Sequence, residues 1–104
     1  MSSVEVKKIV TDYAKKLKAE NFNFSAIYLF GSSAKGKANK NSDIDVAVVS
    51  DKFRKDWNKN EDKLWKYAFY VDSRIEPMGF STSDFKNAND PMVYEIKNTG
   101  VRII

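Results

Sequence analysis

The sequence predicts an α+β fold: a single mixed β-sheet of about four strands with helices packed on one face, in one domain over residues 1–104. Three observations carry that prediction. Apolar residues recur at helical spacing in the N-terminal twenty residues. Short extended runs rich in β-branched or aromatic residues lie at 26–30, 44–49 and 74–80. A chain of 104 residues has room for one compact core, so these elements must share it.

Each element has its own signal. Ser2 and Glu5 stand three apart as a capping box. Val6, Ile9, Val10, Tyr13, Ala14 and Leu17 then give one apolar stripe, predicting a helix over residues 3–20. Residues 21–25 form a turn into a strand, Ala26-Ile27-Tyr28-Leu29-Phe30. The loop 31–42 holds two of the four glycines and has no apolar period. A second strand covers 43–49. In the next stretch Phe53, Trp57, Leu64, Trp65 and Ala68 fit one helical face, with Asn58-Lys59-Asn60 as a break, so a helix over 60–71 follows an irregular or helical lead-in. Phe53, Trp57 and Trp65 are assigned to the core; a partner surface is the lesser reading for Phe53 and Trp57. Residues 74–80 read as extended, and Pro77 places them at a sheet edge or strand end. Residues 81–89 are polar loop. Asp90-Pro91 is a helix start, with aspartate as N-cap and proline at the first helical position. That helix ends at 98–100 with a left-handed cap, and 101–104 form a last strand. The order is α-β-α-β-α-β-α-β, with the loop segment as its weakest member.

Composition excludes several chemistries. There is no histidine and no cysteine, which removes serine–histidine and cysteine–histidine catalysis, histidine-ligated zinc and disulfides. Apolar content of 42% and charged content of 31% are ordinary for a globular protein. No apolar run is long enough to span a bilayer, and the N-terminus lacks a signal-peptide pattern, so a cytoplasmic protein without a membrane role is expected. The net charge of +4 comes from fifteen lysines and three arginines against fourteen acids. No run of like charge forms a basic tail, and direct nucleic-acid binding is not expected as the main role. Most of these lysines are solvated surface charges. Lys35 and Lys37 differ in sitting inside the loop 31–42.

That loop and the strand after it carry the functional signal. Asp43 and Asp45 are separated by one residue at the head of a strand, so both side chains point to one face. An acid inside the run Ile44-Asp45-Val46-Ala47-Val48-Val49 is costly without a partner. Two carboxylates beside a loop able to donate backbone N–H groups suit a metal-bound phosphate chain. A P-loop is the competing reading, because Gly31 to Lys37 match G-x-x-x-x-G-K after a strand. Position 38 is alanine, however, where a hydroxyl must hold magnesium, and no helical period follows. The match is accidental.

Gly31-Ser32, a ten-residue spacer over 33–42, and Asp43-Ile44-Asp45 instead match the signature of the DNA polymerase β-like nucleotidyltransferase superfamily. The string Gly-Ser-Ser-Ala-Lys-Gly-Lys-Ala before Ser42-Asp43-Ile44-Asp45-Val46 resembles that family too, with Lys35 where arginine is common. Val71-Asp72-Ser73-Arg74-Ile75-Glu76-Pro77 resembles the strand that supplies a third carboxylate in small bacterial and archaeal members. The resemblance spans residues 3–104 in element order and implies a palm-like fold. It implies that Gly31 lets the backbone approach a triphosphate and that Ser32 binds its phosphates. Asp43, Asp45 and Glu76 would ligate two Mg²⁺ ions, and Lys35 and Lys37 are candidate phosphate contacts. Family members often have aspartate as the third acid, so the longer Glu76 is a departure. Three alternatives stand beside these roles: Asp43 as turn chemistry, Glu76 paired with Arg74, and Asp72 as the third acid.

The chain looks most like a minimal nucleotidyltransferase of the HEPN/MNT antitoxin type. That resemblance implies AMP transfer from ATP to a hydroxyl of a HEPN-type helical partner, with release of pyrophosphate. No segment of the sequence offers an acceptor pocket, so the acceptor surface is expected from such a partner or from a homodimer. Two other readings remain: an antitoxin that only masks its partner, and a small-molecule nucleotidyltransferase of the antibiotic type.

Overall fold

The computed structural model describes residues 3–36 and 42–104. Helix α1 (Ser3–Ala19) follows the apolar stripe and buries Val6, Val10, Tyr13, Ala14 and Leu17. Ser2, the first half of the expected capping box, lies outside the described residues. Asn21 takes a left-handed φ of 61°, which ends the helix and turns the chain into β1 (Ala26–Phe30). A single 3-10 turn over Gly31–Ser33 follows, and β2 spans Ile44–Val49. Helix α2 (Trp57–Val71) begins three residues before the expected start. Asn58-Lys59-Asn60 does not break it. Asp56 accepts the Lys59 N–H, and the buried Asn60 amide donates to the carbonyls of Lys52 (3.0 Å) and Asp56 (2.9 Å), so the polar triplet builds the first turn.

Strand β3 (Ile75–Phe80), helix α3 (Pro91–Thr99) and the two-residue β4 (Val101–Arg102) complete the chain. Asp90 caps α3 by accepting the N–H groups of Met92 and Val93, with Pro91 in the first turn as the sequence indicated. Gly100 is not a left-handed cap: its φ of −80° and ψ of 167° are extended. Glycine is needed there for a different reason, since an added Cβ would meet the Ile96 and Leu29 carbonyl oxygens.

The sheet order is β3-β2-β1-β4. The β1 strand runs antiparallel to β2 and β4, whereas β2 and β3 are parallel, joined by α2. This is the mixed four-stranded α+β sheet the sequence predicts. Pro77 lies on the edge strand, as expected, and its missing N–H removes one donor from the open side. The other two outward N–H groups of β3 are taken inside the chain, Ile75 by the Asp72 carbonyl (3.1 Å) and Gly79 by Glu61 (3.1 Å). That edge is closed to further strands.

Helices α1 and α2 pack on one face, over Ile27, Leu29, Ile44, Val46, Val48 and Ile75. The Tyr13 hydroxyl donates to the Leu64 carbonyl (2.9 Å) and ties the two helices together. The third helix departs from the one-face expectation. Val93 and Ile96 of α3, with Phe85, cover Ala26, Phe30, Ala47, Val49 and Phe80 on the opposite face. Phe85 belongs to the stretch the sequence suggested was only polar loop, and its ring packs at 5.1 Å from Tyr28 and 5.6 Å from Phe80. Because α3 is short, the ends of β2 and β3 that carry Asp45 and Glu76 stay outside this second core.

Candidate active site

The register of the two parallel strands places Asp45 directly beside Glu76. Both side chains therefore stand on the face that α3 only partly covers. Asp43 sits one residue ahead of β2, exposed, within electrostatic range of both. The sequence brings the three together from two segments thirty residues apart, and the parallel pairing across α2 accomplishes it.

The carboxylates raise one another's proton affinity. Partial burial pushes the Asp45 carboxyl up, the charge of Asp43 adds to it, and Glu95 on α3 contributes further. Glu76 is pushed up first by partial desolvation and then by Asp43 and Asp45. Asp45 and Glu76 are register partners across the parallel strands, and each carboxylate's charge bears on the other. Such a pair behaves as one coupled site.

Gly31 lies against this group. Its φ of +73° is one that side-chain-bearing residues rarely adopt, and an added Cβ would collide with the Asp45 carboxylate. The close approach that requires glycine here is to Asp45 itself. Ser32 is exposed on the same 3-10 turn. The next residue, Ser33, is one that sequence reasoning passed over: it is buried, and its hydroxyl donates to the Asp43 carbonyl (3.4 Å), holding the loop to the head of β2. The second serine of Gly-Ser-Ser was the available signal. Glu95 was also missed, because nothing in the sequence says which side of the sheet α3 takes. Lys35 reaches Glu95 at 3.6 Å across an exposed gap. Lys37 lies outside the described residues.

The alternatives for the third acid separate cleanly. Arg74 grips Asp72 through Nε (3.0 Å) and a second guanidinium nitrogen (2.7 Å). That hydrogen-bonded pair holds the Asp72 carboxyl below its ordinary value. Asp72 is thus a structural acid at the end of α2, held by the Arg74 guanidinium.

A divalent cation fits the chemistry of the remaining set. Asp43, Asp45 and Glu76 offer only oxygen donors, which suits Mg²⁺, and their mutual repulsion is what a cation would relieve. Among the described residues, however, no three acidic side chains converge tightly enough to form a ligand shell as they stand.

Sequence reasoning found no acceptor pocket, but the structure has a cleft. About 450 Å³ of space opens at the outer edge of β3, between α2 and the segment leading to α3. Trp57 and Trp65 line it and are each 46% exposed, so neither is the core residue expected; Phe53 is buried as expected. The row of α2 that packs inward is Asn60, Leu64 and Ala68, and Trp57 and Trp65 lie on the row beside it, at the margin of the packed face.

A family profile described as polymerase beta, nucleotidyltransferase, matches residues 12–104. The chain is also similar in fold to a Sulfolobus solfataricus protein whose 1.40 Å crystal structure is described as that of a candidate nucleotidyltransferase. The two share 15% identity with a TM-score of 0.66, over 98% of this chain and 86% of the other. No protein of curated function matches the chain in sequence. Among the described residues no helix is long and apolar enough to cross a membrane.

Proposed function

The chain belongs to the polymerase β nucleotidyltransferase family, and from that premise we propose that it transfers a nucleoside monophosphate from a nucleoside triphosphate, ATP by preference, to a hydroxyl acceptor. The observation that carries this reading is the Asp45–Glu76 pair beside Asp43, pressed against the Gly31 loop. In the reaction, the acceptor oxygen bonds to the α-phosphorus, the α–β anhydride bond breaks and pyrophosphate leaves. The acceptor's proton leaves to solvent water at the open face of the site. Asp43, Asp45 and Glu76 would hold Mg²⁺, which when bound supplies charge stabilisation to the attacking and leaving oxygens. Gly31 and Ser32 position the triphosphate, and Lys35 exchanges Glu95 for a phosphate. Lys37 is assigned a phosphate contact by position alone.

We further assign the acceptor to a HEPN-type helical partner, which makes the chain the antitoxin of a toxin–antitoxin pair. The resemblance of Gly31-Ser32 to Asp45 and of residues 71–77 to minimal nucleotidyltransferases supports this. A small-molecule acceptor is the second reading, and the cleft beside β3 favours it. The deciding experiment incubates the chain, with its co-purifying protein, with Mg²⁺ and α-labelled ATP. Label on the partner from wild type but not from Asp43→Ala/Asp45→Ala supports protein modification. Protection from toxicity by the double variant without any label contradicts it in favour of masking.

A further inference from the structure

The cleft at the outer edge of β3 is built for a ligand the carboxylate site does not explain. Its volume of about 450 Å³ falls within the range of small-ligand pockets. One wall is α2, where Trp57, Glu61 and Trp65 recur four residues apart and so form one stripe. Met78 lines it from β3, and Asp84 and Asp90 form the facing side. The fold leaves both indoles half in water although other aromatic rings, Phe53 and Phe85, are buried. An indole so placed keeps apolar area uncovered that a ligand can bury.

The charge of the lining is opposite to that of the protein. The chain carries a net +4, yet three carboxylates and no lysine or arginine are among the described residues of the cleft. Glu61 is fixed there by accepting the Gly79 N–H at 3.1 Å. Asp90 is held by its cap on α3, and Asp84 is exposed at the rim. Indole faces beside fixed carboxylates recognise a cation, the rings through their quadrupole and the acids through charge. Met78 lies two residues from Glu76 on the same side of β3, about 7 Å along the strand. A group seated in the cleft is therefore within a side chain's length of the carboxylate pair.

From these features we infer that the cleft binds an organic cation carried on an apolar body, and that this group anchors the acceptor of the transfer reaction. The anchoring half rests on the proposed transfer; the binding half does not. Trp57 and Trp65 are the two tryptophans of the chain, so their fluorescence reads the cleft directly. The full chain is titrated with acetyl-arginine amide, with benzyltrimethylammonium, and with acetyl-citrulline amide as the uncharged match. Saturable change with either cation, weakened at least about fivefold for the citrulline analogue and for Asp84→Asn, supports the inference. Tighter binding of the arginine amide assigns the cation to a protein acceptor, and tighter binding of the ammonium to a free small molecule. Equal response to the charged and uncharged amides, or none to either cation, overturns it. Cation binding without any nucleotidyl transfer leaves the cleft standing and removes the transfer reading. Transfer with no cation binding removes the cleft alone.

Discussion

Two acidic groups flank the first residues of β3, and their surroundings are opposite. Asp72 is gripped by Arg74 through two side-chain hydrogen bonds, which hold its carboxyl below the ordinary range. Four residues later Glu76 stands beside Asp45, with Asp43 close by, and both paired carboxyls are pushed up. The first arrangement stabilises the fold as it stands. The second opposes it, because like charges are held together at the rim of a β-branched strand. Acids kept at such a cost mark a candidate site for a positively charged ligand.

The largest expected effect separates the two groups by activity. Asp45→Asn should lower nucleotidyl transfer by at least about 10³-fold, the equivalent of the several kcal/mol a bound metal supplies. Asp72→Asn should leave transfer within about threefold and instead cost about 1 kcal/mol of stability, a value discounted for its position near the surface. Pyrophosphate release and chemical denaturation measure the two sides, and equal loss of activity in both variants would erase the distinction.

Next comes Gly31→Ala, which sharpens the comparison from the loop side. The positive φ costs about 1–2 kcal/mol for a residue with a Cβ, and that Cβ displaces the Asp45 carboxylate. Transfer should fall by about 10²-fold, with a lowered melting temperature. Unchanged activity would mean that Asp45 needs no support from the loop.

A smaller effect concerns pH. The folded-state affinity of Asp45 and Glu76 for protons exceeds that of the unfolded chain, so folding takes up protons in the window just above the ordinary carboxylate range. Their contribution is favourable below that range and is lost as pH rises through the raised values. Asp72 has the reverse sign, stabilising above the ordinary range and losing that stabilisation as pH falls through its lowered value. Without divalent metal, Asp45→Asn should therefore melt a few degrees higher than wild type at neutral pH, while Asp72→Asn melts lower. The smallest effect is a control away from both groups. Tyr13→Phe removes the hydroxyl bond to Leu64 and should cost about 1 kcal/mol with transfer unchanged.

The sequence displayed much of this fold because its local signals are strong. The stripe from Val6 to Leu17, the β-branched run of β2 and the Asp90-Pro91 cap each specify an element without help from the rest of the chain. Pro77 even announced the edge strand. What stayed hidden depends on how elements meet. The side of the sheet that α3 takes is a matter of crossover geometry, so Glu95 beside Asp45 could not be read. A helical period marks a face, not its direction, and Trp57 and Trp65 turned outward into a cleft. At the site, the residue types were visible in Gly31, Ser32, Asp43, Asp45 and Glu76. The register that sets Asp45 against Glu76, and the collision that makes Gly31 obligatory, appear only once the strands are paired.

The most direct test of the central claim, that the Asp45–Glu76 pair is a site for a divalent cation, is the melting temperature of wild type and Asp45→Asn at neutral pH with and without Mg²⁺. A ligand bound to the folded state raises it in proportion to occupancy. Mg²⁺ should raise the wild-type value and leave Asp45→Asn unmoved, closing the gap between them. An equal rise in both proteins, or no rise in wild type, would contradict the claim.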